Sequence, residues 1–103
     1  MDALEDRISA FKARLKEEPT FCAELYDYAT VRLMAFKYAY YILGEEIVKD
    51  QTYDQEEKGW YVMGRAMGLL AEDETSPCVG FDESHPKAKE GIEFALKLLG
   101  RNI

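Results

Sequence analysis

The sequence has little of what chemistry is usually built from. It holds one histidine, His85, so no site with two histidine ligands can form. Its two cysteines, Cys22 and Cys78, are too few for a disulfide framework. Cys22 falls on the apolar side of a helix and reads as a small buried hydrophobe, with a Cys22–Cys78 bridge as the alternative. The three prolines stand at 19, 77 and 86, so none interrupts residues 20–75. The longest apolar run, Tyr38 to Leu43, is far too short to span a bilayer. The opening residues, MDALEDR, are acidic and polar, unlike a secretory or organellar leader. Bases are scarce as well, 13 against 20 acids, for a net charge of −7. That balance argues against direct nucleic-acid binding and against anionic membranes, both of which need a basic footprint. The expectation is a soluble, cytoplasmic protein.

Apolar residues in helical register are abundant. No segment shows the two-residue alternation of a strand, so the fold class is all-α, a single helical domain over 1–103. A first helix carries Leu4, Ile8, Phe11 and Leu15 on one face, with Asp2 as its cap and Pro19 opening the next helix. The spacing then predicts one long central helix over about 20–49, with Gly44 its weak point. Its core face recurs in steps of three and four through Phe21, Leu25, Ala29, Leu33, Phe36, Tyr40, Leu43 and Ile47. Between residues 31 and 42 the opposite face is apolar too, through Val31, Met34, Tyr38, Tyr41 and Ile42. A helix apolar all round is either buried on two sides or awaits a partner.

A turn at 50–53 and the capping-box pair Asp54 and Glu57 predict a third helix running to about Ala71. Gly64 and Gly68 leave a smooth strip on it for close packing. An acidic loop over 72–83 comes next. Ser84 or His85 caps a fourth helix, which buries Ala88, Ile92, Ala95, Leu96 and Leu99. The architecture is a small four-helix bundle or helical-hairpin assembly organised around the central helix.

The search for catalytic groups returns little. Cys78, Asp82 and His85 match no established metal-ligand spacing, and His85 beside Pro86 reads as a helix cap. Nothing places a cysteine beside His85 as a nucleophile pair. There is no phosphate-cradling glycine loop. The carboxylates cluster in polar tracts rather than as a pair with one member in an apolar setting. No cofactor, metal or enzymatic activity is expected.

Trp60, Met63, Gly64 and Met67 have the spacing of a tetratricopeptide repeat's first helix, and Ala88, Ile92, Ala95 and Leu96 that of its second. Residues 60–100 thus resemble one such helix pair, with about twice the family's usual interval between Gly64 and Ala88. The resemblance implies a helical hairpin that binds a partner peptide or protein.

The acids are unevenly placed. Residues 45–57 hold six acids and one lysine, and residues 72–83 hold five acids and no base. The expected function is a small acidic protein–protein interaction module, an adaptor or inhibitor. It binds another protein, or itself as a homo-oligomer, through an aromatic helix face with acidic flanks. The candidate contact residues are Tyr26, Val31, Met34, Tyr38, Tyr41 and Ile42, flanked by Glu45 and Glu46. The alternative is an acidic decoy that presents carboxylates where a basic partner expects phosphates, as phage anti-restriction, anti-CRISPR and immunity-type proteins do. Against it, the two acidic tracts flank the third helix and so should lie at its opposite ends.

Overall fold

The computed structural model describes residues 2–101, and it is all-helical, with no strand among them. Helix α1 spans Ala3–Glu17, α2 Pro19–Tyr38, α3 Asp50–Ala66 and α4 Ala88–Leu98. No helix among the described residues is long and apolar enough to cross a membrane. The four pack as a small bundle. Helix α1 lies against α2 and α3, α3 also lies against α2, and α4 packs on α2. Helices α3 and α4 therefore both take α2 as a neighbour.

Each boundary has a local cause. The Asp2 carboxylate accepts the Leu4 N–H at 3.1 Å and caps α1. Pro19 supplies the first residue of α2, where its missing N–H does no harm. Five consecutive α2 residues, Leu33 to Lys37, are buried, as befits a central post covered on several sides. Leu33 and Phe36 meet Trp60 of α3 in one core cluster, while Ile8 of α1 meets Val62 and Ala66 of α3 in another. The Trp60 indole N–H donates to Thr30 Oγ1 at 2.8 Å, and the Thr30 hydroxyl donates to the Tyr26 carbonyl at 2.9 Å. That relay satisfies the two polar side chains that the α2–α3 seam buries there.

The central helix departs from expectation. Its α-helical part ends at Tyr38, and residues Ala39–Leu43 form a π-helical turn. Gly44 then stops it in the left-handed conformation, at φ 66°, so it does not run on to residue 49. The wider turn shifts the side-chain register after Ala39. Tyr40 is accordingly 59% exposed rather than on the core face. Phe21, at the other end, is also exposed, its ring under the Arg14 guanidinium at 4.8 Å.

Helix α3 starts a turn earlier than the sequence suggests, with Lys49 at the cap. The Asp54/Glu57 capping box is not used. Instead the Tyr53 hydroxyl donates to the Glu57 carboxylate at 2.9 Å, and the Tyr53 ring meets Phe36 edge-on at 6.4 Å. The helix ends at Ala66 rather than Ala71 because Gly68, at φ 71°, turns the chain back. Gly64 and Gly68 thus do not form one packing strip. Gly64 lies under Leu70, whose Cγ would stand 2.5 Å from an added Cβ.

Helix α4 begins at Ala88, with Ser84 and His85 held in the turn before it. Asp82 Oδ1 accepts the Ser84 N–H at 2.9 Å and its hydroxyl at 2.7 Å, and His85 Nδ1 accepts the Lys87 N–H at 3.0 Å. Ala88, Gly91 and Ala95 form the buried face of α4. At Gly91 an added Cβ would lie 2.6 Å from Met34 Cβ and 3.1 Å from the Met34 carbonyl carbon.

Burial holds the His85 imidazole below its ordinary value of 6.5. The fold therefore favours the neutral ring, and the unfolded chain takes up the proton first as pH falls through 6.5. Stability conferred by neutral His85 should be complete above that value and diminish below it. His85→Asn keeps an acceptor for the Lys87 N–H and removes the titration. Urea midpoints measured from about pH 7.5 to about pH 5.5 should fall less steeply for this variant than for wild type.

Candidate functional site

The second apolar face of α2 divides in two. Its N-terminal half is core. Met34 is fully buried, with Gly91 against its Cβ and Cys78 Sγ 3.7 Å from its sulfur. Val31 is half-buried. Tyr38 packs edge-on against Phe81 from the acidic loop, with centroids 5.2 Å apart. Tyr26 stacks on Trp60 at 5.9 Å, and its phenol is raised by burial and by Glu74 and Asp27. Of these four residues, Met34 presents nothing to a partner, and Tyr26 and Tyr38 are held by intramolecular ring contacts. The acidic loop, at 78 and 81, is part of what covers this face.

The C-terminal half stays open. Tyr40, Tyr41 and Ile42 are 59%, 57% and 53% exposed. These three successive large apolar residues all belong to the π turn. The Tyr40 and Tyr41 rings brace each other at 5.1 Å, close to perpendicular. Of the predicted flanks, Glu46 is exposed, whereas Glu45 is half-buried and ion-paired with Arg101.

Beside this patch lies a cleft of about 230 Å³, between the π turn and the start of α3. Phe36, Tyr40, Tyr41 and Tyr53 supply ring surface, and Lys37, Glu46 and Asp50 supply charge. Its rear wall is pinned by Arg32, which makes a two-pronged contact with Glu56 of α3 at 2.6 and 3.1 Å and lies 5.1 Å over the Phe36 ring. The Glu56 hydrogen bond holds the Arg32 guanidinium well above its usual range. Burial, reinforced by Glu57, pushes the Tyr53 phenol up as well, so its hydroxyl stays protonated and uncharged.

Lys37 is the residue that sequence reasoning passes over. It is 6% exposed, and its Nζ stands 5.7 Å from the Tyr41 ring centre and 5.9 Å from that of Tyr53. The one signal for it is a lysine set inside an otherwise apolar stretch, with Tyr41 one helical turn on. Periodicity places Tyr40 in the core and Tyr53 in a turn, because neither the π turn nor the early start of α3 leaves a mark in it.

The other candidate groups are occupied elsewhere. Both cysteines are free thiols. Cys78 contacts Met34, Asp82 holds Ser84, and His85 holds the Lys87 N–H. Among the described residues no group of three or more histidine, cysteine or acidic side chains is arranged to hold a metal ion. No protein-family model matches the chain, and no curated protein or solved structure matches it either.

Proposed function

We propose that this chain is a small acidic interaction module that engages another protein through Tyr40, Tyr41 and Ile42, with Glu46 at the rim. The observation that carries the reading is the run of three large apolar side chains, each more than half exposed, on a turn held by the bundle. Such a run is costly to leave in water and marks a docking surface when it is contiguous. Tyrosine suits the task, since its ring gives contact area and its hydroxyl tolerates water. An adaptor or an inhibitor meets this description equally. A second copy of the chain also fits, and a monomer mass by light scattering at high micromolar concentration would remove that form of the idea.

Tyr41→Glu combined with Ile42→Glu should leave the far-UV circular dichroism and the urea midpoint close to wild type, because both residues are exposed. The same pair should abolish retention of a partner from source-cell lysate. A complex that survives the double variant sinks this reading. A complex that instead weakens steeply between low and moderate salt points to the acidic tracts, and so to a decoy for a basic surface.

A further inference from the structure

We propose that the cleft between the π turn and the start of α3 binds an aromatic α-amino acid, its carboxylate on Lys37, its ammonium toward Glu46 and Asp50, and its ring among the tyrosines. The site is distinct from the docking patch in what it recognises, although the two share Tyr40 and Tyr41.

The first argument is the state of Lys37. Among the described residues no carboxylate comes within 4.0 Å of its Nζ, and no hydrogen bond involves it. The side chain is nevertheless almost wholly buried. The two tyrosine rings attract the ammonium but offer no acceptor to its three N–H donors. With no carboxylate beside it, the ammonium is free to take an entering anion, and a carboxylate is the group that matches it best. The Nζ itself is not sealed off from solvent. The cleft that Lys37 lines gives a ligand access to it.

The second argument is the sign of the remaining lining. Glu46 and Asp50 belong to the same cleft, Asp50 and Glu46 each beyond ion-pair distance of Lys37. Both are exposed. A simple anion entering there meets two carboxylates and a chain of net charge −7. A simple cation meets Lys37. A zwitterion, with its two charges on adjacent groups, meets an opposite charge at each end. The third argument is size. At about 230 Å³ the cleft is below the roughly 300–1,000 Å³ of pockets for drug-sized ligands, and four aromatic rings share its walls with charged groups, as a small aromatic zwitterion requires.

The test is an amide-resolved NMR titration of the full chain with L-phenylalanine. Saturable shifts confined to residues 36–53 are expected. Hydrocinnamate lacks the ammonium and phenethylamine lacks the carboxylate, and each should bind at least about tenfold more weakly. Lys37→Met should weaken phenylalanine by a similar factor while keeping the dispersion of the spectrum. Absence of saturable shifts, or equal binding of hydrocinnamate and phenylalanine, overturns the proposal. Should Lys37→Met fail to fold, Glu46→Gln with Asp50→Asn replaces it, both positions being exposed. That pair should weaken phenylalanine and strengthen hydrocinnamate, and an unchanged ratio of the two affinities again overturns the proposal.

Discussion

Gly91→Val is expected to destabilise the fold by about 3 kcal/mol, read as a lower urea midpoint at unchanged slope. Helix propensity alone points the other way, since valine in place of a helix-interior glycine gains roughly half a kcal/mol. Packing decides the sign. An added Cβ at Gly91 meets Met34 Cβ at 2.6 Å, the Met34 carbonyl carbon at 3.1 Å and the Ala35 nitrogen at 3.2 Å. Two of those atoms are backbone and the third is the first atom of its side chain, so no rotamer change relieves the contact. Gly91→Ala should show a milder loss of the same sign, about 1 kcal/mol after its larger propensity gain. Trimming Met34 to alanine should rescue neither variant, because the offending atoms remain. A Gly91→Ala protein more stable than wild type would mean that α4 stands farther from α2 than the structure has it.

Leu33→Ala should lower stability by about 2–5 kcal/mol. Leu33 is fully buried in one cluster with Phe36 and Trp60, against which Tyr26 and Leu70 pack. Its removal leaves a cavity beside Trp60, whose ring is held by the Thr30 hydrogen bond and the Tyr26 stack and so resists moving into the space. For a domain whose total stability lies in the usual range of roughly 5–15 kcal/mol, that is a large fraction. A loss below about 1 kcal/mol in a urea melt would place Leu33 outside the core. The contrast with Tyr41→Ala, expected to change stability little, separates the closed part of the central helix from its open end.

How far the sequence foretells this arrangement depends on the residue. The steps of three and four through Leu4, Ile8 and Phe11 place the first helix and its inner face. On the fourth helix Ala88 and Ala95 are buried as expected, Ile92, Leu96 and Leu99 are only half-buried, and Gly91 takes the closest approach. Pro19 marks one start, whereas Gly44, expected only as a weak point in a helix running to about residue 49, is a full stop. The π turn leaves no such trace, because residues 38–43 are apolar at every position and carry no period to shift. Gly64 and Gly91 look alike in the chain, yet one accommodates Leu70 of its own return loop and the other the backbone of α2. Their roles depend on which neighbour arrives, and that is a tertiary fact. Lys37 is hidden for the same reason. A lysine inside a helix is ordinary until a second element, here α3 with Tyr53, closes over it. The face centred on Met34 reads as open in the sequence because nothing in the acidic loop announces that Cys78 and Phe81 fold back onto it.

The π turn has one more consequence. What this protein offers outward is set by a count of residues as much as by their identity. Taking one residue out of the stretch 39–43 would change no side chain upstream of Ala39, yet would swing everything between it and Gly44 by about 100° around the helix axis. A tyrosine now facing water would then face protein. Substitution is therefore a gentle way to tune this surface, whereas a single-codon deletion would dismantle it while leaving Leu33 and Phe36 in place.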